Sequence, residues 1–248
     1  MKILIIAAAG TASRFNKDTK TPVPKCIYYN EDPKNTILYQ IFLKSTGIDK
    51  IILIGGYEFA LLEDYVNTYL SGHSQKTEII FNPHFEDYGS GYSLYLGIEA
   101  SIKYKPCEII FAEGDLFYNS EDFNKIVTSK NDVITSNTQP IEAQKSVVFY
   151  EDIKGNFKYL YDLKHKELRI KEPFCSIHNS AQIWKFTNTK KLFTVNKALS
   201  LPQKKGTNLV IIGKYFSQIK SKNISIIAMN TWVNCNTIND YNLIWGIK

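Results

Sequence analysis

The sequence predicts one α/β domain, built on a mixed, mainly parallel doubly wound sheet with an antiparallel lid. Three observations carry this. Continuous apolar runs of strand length recur through the first half, as strands buried on both faces require. Amphipathic stretches of helical period separate them, giving a β-α-β-α-β-α-β alternation. Past residue 130 the runs shorten and turn residues intervene, which suits antiparallel hairpins. The 248 residues exceed one average domain and fall short of two. Residues 1–130 and 131–248 are therefore read as two halves of a single domain.

The elements follow in order. KILIIAA opens the chain as a buried strand. Its lysine, apolar run and small residues also look like a minimal secretory leader. The run over 3–9 only reaches the lower bound of ~7 residues for such a leader, and its basic flank is one lysine. The opening is expected to be structure. NTILYQIFLKSTGI places Ile37, Leu38, Ile41 and Phe42 on one helical face, with Gly47 as a stop. DKIILIGG reads as a strand, EFALLEDYVNTYL as a helix, TEIIFN as a strand, GYSLYLGIEASIKY as a helix and CEIIFAEGD as a strand. In the second half DVITS, KSVVFYED, FKYLYDL and KELRIKE read as short antiparallel strands, with a turn at Lys154-Gly155-Asn156. SAQIWKF follows, then helices in TKKLFTVNKAL and NLVIIGKYFSQI, the strand ISIIAM and a closing NTWVNCNTINDYNLIWG.

Composition removes several classes. Hydrophobic residues make up 44%, and no apolar run approaches the ~20 residues that span a bilayer, so no membrane insertion is expected. Cys26, Cys107, Cys175 and Cys235 form no CxxC pair, which argues against a zinc site or disulfide scaffold and for a reducing, cytoplasmic setting. His73, His84, His165 and His178 lack metal-ligand spacing. The net charge of +6 fits a small anionic substrate or a solvated lysine surface. LYDLKHKELRIKE alternates in charge and reads as a solvated face; no nucleic-acid partner is expected. Only Arg14 and Arg169 are arginines. An arginine grips phosphate with a planar fork that lysine lacks, so Arg14, inside a small-residue loop, draws notice.

Ligands of open α/β sheets bind beyond the carboxyl ends of strands. Four segments lie there: AAGTASRF, Pro24-Lys25, NPHFEDYGSGYS and EGD. A dinucleotide fold would need G-x-G-x-x-G after the first strand and an acid ending the second. The loop has Gly10 alone, and the second strand ends in Gly55-Gly56-Tyr57. A Walker A loop would close in Gly-Lys-Ser/Thr, which is absent.

Ala8, Ala9, Gly10, Thr11, Ala12, Ser13 and Arg14, with Pro24-Lys25 after them, resemble the signature loop of the nucleotidyltransferase superfamily, usually Ala-Ala-Gly-x-Gly-Ser-Arg. Small residues there let main-chain N–H groups approach phosphate, while Arg14 and Lys25 neutralise charge on departing pyrophosphate. FNPHFEDYGSGYSLYLGIEA resembles the base-contacting segment of bacterial CTP:phosphocholine cytidylyltransferases, which implicates Asn82, Ser90, Gly91 and Ser93 in nucleotide binding. IIFAEGDLFY is similar to that family's strand ending in a metal-binding aspartate, here Asp115, with Glu113 beside the nucleotide. VNCNTINDYNLI is similar to its final strand and helix, which sets Asn236 at the second metal ligand.

The resemblance implies a Rossmann-like, GT-A-like fold and an enzyme that moves CMP from CTP to a small phosphomonoester or phosphonate, releasing pyrophosphate, in surface polysaccharide, capsule or lipid decoration. It implies Mg²⁺ on Asp115 and Asn236, and Arg14 and Lys25 as catalytic residues. Tyr150, Tyr161 and Trp184 are the expected acceptor contacts. Aromatic faces with Glu151, Asp152 and Asp162 interspersed suit an ammonium-bearing acceptor, whereas Asn156, Asn179 and Gln182 would suit a sugar. The alternatives are a sugar-1-phosphate nucleotidyltransferase using UTP or dTTP, a GT-A-type glycosyltransferase with Glu113-x-Asp115 as its metal motif, and a nucleotide-binding regulator. Two positions depart from the family pattern: Ala12 stands for a glycine, where a positive φ would be strained, and Asn236 stands for an aspartate.

Overall fold

Why this chain folds as it does is clearest from its opening strand in the computed structural model, which describes residues 1–19, 21–161 and 166–247. Strand β1 (Lys2–Ala8) carries Ile3, Leu4, Ile5 and Ile6 without solvent exposure, each contributing roughly 1.5–3 kcal/mol by burial. It lies inside the sheet, with a strand paired on either side. The chain continues through α1 (Ile37–Lys44), β2 (Lys50–Gly55), α2 (Phe59–Tyr69), β3 (Thr77–Phe81), α3 (Gly91–Ser101) and β4 (Glu108–Glu113). β1, β2, β3 and β4 pair in parallel, as the alternation predicts. Gly97 of α3 lies so close to β1 that a Cβ there would meet Ile5 Cγ2 at 2.4 Å, so this helix seats itself on the strand through a glycine.

Then come β5 (Leu116–Tyr118), α4 (Ser120–Thr128), β6 (Asp132–Asn137), β7 (Val148–Asp152), β8 (Phe157–Leu160) and β9 (Phe174–Phe186). They are followed by α5 (Thr189–Lys197), the single turn α6 (Leu201–Lys204), α7 (Leu209–Phe216), β10 (Ile224–Met229), β11 (Trp232–Asn234) and α8 (Ile238–Trp245). The main sheet runs β10-β6-β9-β4-β1-β2-β3, with β9 antiparallel to both its neighbours. One core cluster, with α1, α2, α4 and α8, covers one face; another, with α3, α5 and α7, covers the other.

The second half differs from its sequence reading in three ways. DVITS is β6, a buried strand parallel to β10, not part of a hairpin. The antiparallel excursion is only β7, β8 and the first part of β9, turning at Lys154-Gly155-Asn156, where Gly155 takes φ +79°. KELRIKE forms no strand. Asp162 and His165 lie outside the described residues. Helix α4 and the ribbon β5–β11 have no counterpart in the sequence pattern; α4 is polar in composition, yet Asn119 caps it by accepting from the Asp122 N–H.

Candidate active site

The carboxyl ends of β1, β3 and β4 open on one cavity of about 250 Å³. Its floor is made by glycines and alanines because backbones must meet there. A Cβ on Gly114 would stand 2.8 Å from the Ala7 carbonyl oxygen, and one on Gly56 2.8 Å from that of Ala9. Ala8, Ala9, Gly10 and Thr11 line the cavity with Lys25, Asn82, Ser90, Ser93, Glu113 and Asp115. Ala12 lies just outside, in the core, and takes φ +52°, in the left-handed region that favours glycine. Ser13 is exposed and lines no described cavity, and Gly91 packs against residues 206 and 207.

Asn82, 2% exposed, builds one wall. Its amide donates to Ser93 Oγ at 3.1 Å and its oxygen accepts the His84 N–H at 2.9 Å, fixing the entry of the loop over 83–90. Phe85 and Tyr88 from that loop also line the cavity. Neither is among the expected site residues, although both lie in the NPHFEDYGSGYS segment.

The charged centre is assembled from three remote segments. Lys25 Nζ donates to Asp115 Oδ2 at 2.5 Å and to Asn236 Oδ1 at 2.9 Å. The guanidinium of Arg14 donates to the same Asn236 oxygen at 3.0 Å. Local structure explains the meeting: the Cys235 N–H donates to the Asp115 carbonyl at 2.8 Å, and β11 pairs with β5 directly after Asp115. The capping box of α8 completes it, with Asp240 Oδ2 accepting from the N–H groups of Asn236 and Thr237.

The donor set fits a hard cation. Asp115 Oδ1 is buried without a hydrogen-bond partner, and Asp115 Oδ2 and Asn236 Oδ1 already converge on one positive charge. Among the described residues no group of three or more His, Cys, Asp and Glu could hold a metal. Mg²⁺ is content with one or two protein oxygens plus water and phosphate.

A second cavity of about 150 Å³ adjoins the first through Ser90 and Glu113. Tyr161, Trp184, Gln182 and Asn208 contribute to its walls. Trp184 is 1% exposed, stacks on Phe111 and donates its indole N–H to Tyr159, so it is as much core as wall. Tyr150, on β7, lines neither cavity; it donates to Glu172. Asp152 is occupied by Asn156 and Lys158, and Asn179 by the carbonyls of Gln139 and Pro140. Burial and the nearby Asp115 carboxylate push Glu113 up to about 8, against the pull of the Asn208 amide and Lys25. Asn208, which donates to Glu113, had no sequence signal beyond its place before a helix. Burial raises the neighbouring Cys26 thiol to about 12.

A family profile described as "Domain of unknown function (DUF6564)" matches residues 21–247. A choline-phosphate cytidylyltransferase of Streptococcus pneumoniae is 39% identical over 93 residues, 37% of this chain and 37% of that protein. A CTP:phosphoglutamine cytidylyltransferase of Campylobacter jejuni subsp. jejuni is 28% identical over 132 residues, 52% of this chain and 49% of that protein. The matches thus span about half or less of these curated relatives. Among solved structures, the inositol-1-phosphate CTP transferase from T. maritima superposes with a TM-score of 0.69 at 16% identity, covering 100% of this chain and 96% of that one. That likeness is one of fold, the Rossmann-like nucleotidyltransferase fold.

Proposed function

The chain belongs to the DUF6564 family, and from that premise we propose that it is a cytidylyltransferase, joining CMP from CTP to a small phosphorylated acceptor and releasing pyrophosphate. The observation that carries the reading is the convergence of Arg14, Lys25, Asp115 and Asn236 beside the small-residue cavity. The names of the curated relatives support it.

In this reading CTP lies in the larger cavity, with its base toward Asn82 and Ser93. The triphosphate runs along residues 8–14, whose small side chains leave main-chain N–H groups within reach of phosphate oxygens. Asp115 and Asn236 would hold Mg²⁺, which supplies charge against the triphosphate when bound. Lys25, now on Asp115 and Asn236, and Arg14, now on Asn236, have phosphate oxygens as their alternative acceptors. They balance the negative charge that grows on the leaving pyrophosphate. The acceptor's phosphate oxygen is an anion at neutral pH and attacks the α-phosphorus without a general base, so the protein contributes position and charge.

The acceptor occupies the smaller cavity. Its aromatic walls, Tyr161 and Trp184, and the amides of Gln182 and Asn208 suit a compact amino- or amide-bearing phosphate or phosphonate. A role in surface polysaccharide or lipid decoration and a cytoplasmic setting belong to the same proposal. No helix among the described residues is long and apolar enough to cross a membrane. A sugar-1-phosphate acceptor is the second reading, favoured by the hydroxyl-bonding capacity of Ser90, Thr207 and Gln182 on the same walls. Competition of CTP with UTP and dTTP, run with parallel pools of phosphorylated amino alcohols, phosphorylated amino acids and hexose 1-phosphates, tests it. CTP with an amino-bearing acceptor is the expected pair; UTP or dTTP with a hexose phosphate would replace this reading by the second.

A further inference from the structure

The segment that follows α6 lies across the loop leading into α3, although more than a hundred residues separate them in the chain. The Gly89 N–H donates to the Lys205 carbonyl at 2.9 Å and the Gly91 N–H to the Gly206 carbonyl at 3.0 Å. The Asn208 N–H donates to Ser90 Oγ at 3.2 Å. The approach is backbone on backbone: a Cβ on Gly89 or Gly91 would stand 2.5 or 2.7 Å from the Gly206 oxygen. Lys205 adds its ammonium over the ring of Tyr88, 4.9 Å from the centroid. The loop that bounds the nucleotide cavity is thus held by a strap from the opposite half of the domain.

Asn208 ends this strap and is 5% exposed. Its main chain holds Ser90, and its side chain donates to Glu113 Oε1. Ser90 and Glu113 are the two residues common to both cavities, while Asn208 itself lines only the smaller one. Asn208, itself buried, ties these two points together, and losing its bond to Glu113 leaves a buried amide without that partner.

We infer that Asn208 is a positioning residue that sets the nucleotide loop and the acceptor cavity together, so that ordering one subsite favours the other. This rests on the assignment of the two cavities to CTP and acceptor. Linkage makes the coupling reciprocal, so acceptor binding favours CTP by the same factor as CTP favours the acceptor. Asn208, which of the two cavities lines only the acceptor's, carries that coupling to the nucleotide loop through Ser90.

The test is Asn208→Ala, with Asn208→Ser carrying the same comparison if the alanine variant does not fold. CTP affinity is measured by calorimetry with Mg²⁺ and no acceptor, the acceptor KM at saturating CTP, and amide hydrogen exchange over residues 89–91. The expected result is CTP binding weakened at least fivefold, acceptor KM raised at least fivefold, and faster exchange at Gly89 and Gly91. Lys204→Ala, which removes a cation over Tyr95 but no strap bond, should leave all three unchanged. CTP affinity within twofold of wild type, with unchanged exchange, would overturn the inference. A wild-type protein that binds no CTP would instead defeat the functional reading, and the exchange at 89–91 would still decide whether Asn208 holds the loop.

Discussion

Lys25 Nζ lies 2.5 Å from Asp115 Oδ2, closing a contact between residues 90 apart in the chain. The pair holds the carboxylate at the mouth of the cavity with its other oxygen buried and unpartnered. A carboxylate placed so is poor as a structural ion pair and well suited to a second cation.

Asp115→Asn keeps shape and removes the charge. Turnover is expected to fall at least about 100-fold, the rate equivalent of about 2.7 kcal/mol. The melting temperature should stay near wild type, because the side chain is partly exposed and its main-chain bond to Cys235 remains. Steady-state rates together with a thermal melt check both halves of the expectation.

Arg14→Lys preserves charge and loses the fork. With Asn236 Oδ1 already accepting from Lys25, a second lysine gives a point charge where the proposed phosphate contact calls for a planar donor. Activity should drop at least about tenfold, or about 1.4 kcal/mol. Equal activity in the two proteins would make Arg14 a surface charge.

Ala12 pays for its left-handed φ of +52° with about 1–2 kcal/mol of steric cost. Ala12→Gly relieves that but loses a buried methyl worth about 0.8 kcal/mol, and it frees the unfolded chain by about 0.4–1 kcal/mol. The terms nearly cancel, so its urea midpoint should match wild type within about 1 kcal/mol. Ala12→Val puts a branched side chain where φ is positive and should lose about 2 kcal/mol or more.

Burial draws Lys44 down to about 8, with its ammonium 4.1 Å from the Phe117 ring centre. The unfolded chain titrates this group near 10.4. Between the two values the unfolded state binds more protons, so this group's contribution makes stability rise as pH climbs from about 8 to about 10.4. Below that window the folded state bears the cost of the buried charge. Lys44→Met should therefore gain most at pH 7 and progressively less toward pH 10, read as the difference in urea midpoint between variant and wild type.

The parts of this account that the sequence disclosed are those with local signals. Strand ends were legible because buried parallel strands must be continuous apolar runs, and the loop from Ala8 to Arg14 follows the first of them. Asn236 was legible through its short distance from the Asp240-Tyr241 pair. The reversed strand β9 was not, since SAQIWKF has the same apolar pattern in either direction. Tyr150 and Trp184 look alike in a strand, and only packing separates the first, turned to Glu172, from the second, at a cavity wall. Asn208 carries no local mark: its meaning comes from Ser90 and Glu113, brought to it by the fold.

The central claim is transfer of a nucleotidyl group, and phosphorus-31 NMR of CTP, Mg²⁺ and the acceptor pools tests it most directly. The α-phosphorus of CTP is expected to enter a new diphosphate diester with the acceptor's phosphorus, with inorganic pyrophosphate appearing in equal amount. Release of a nucleoside diphosphate, or CTP left intact across every pool, would contradict it.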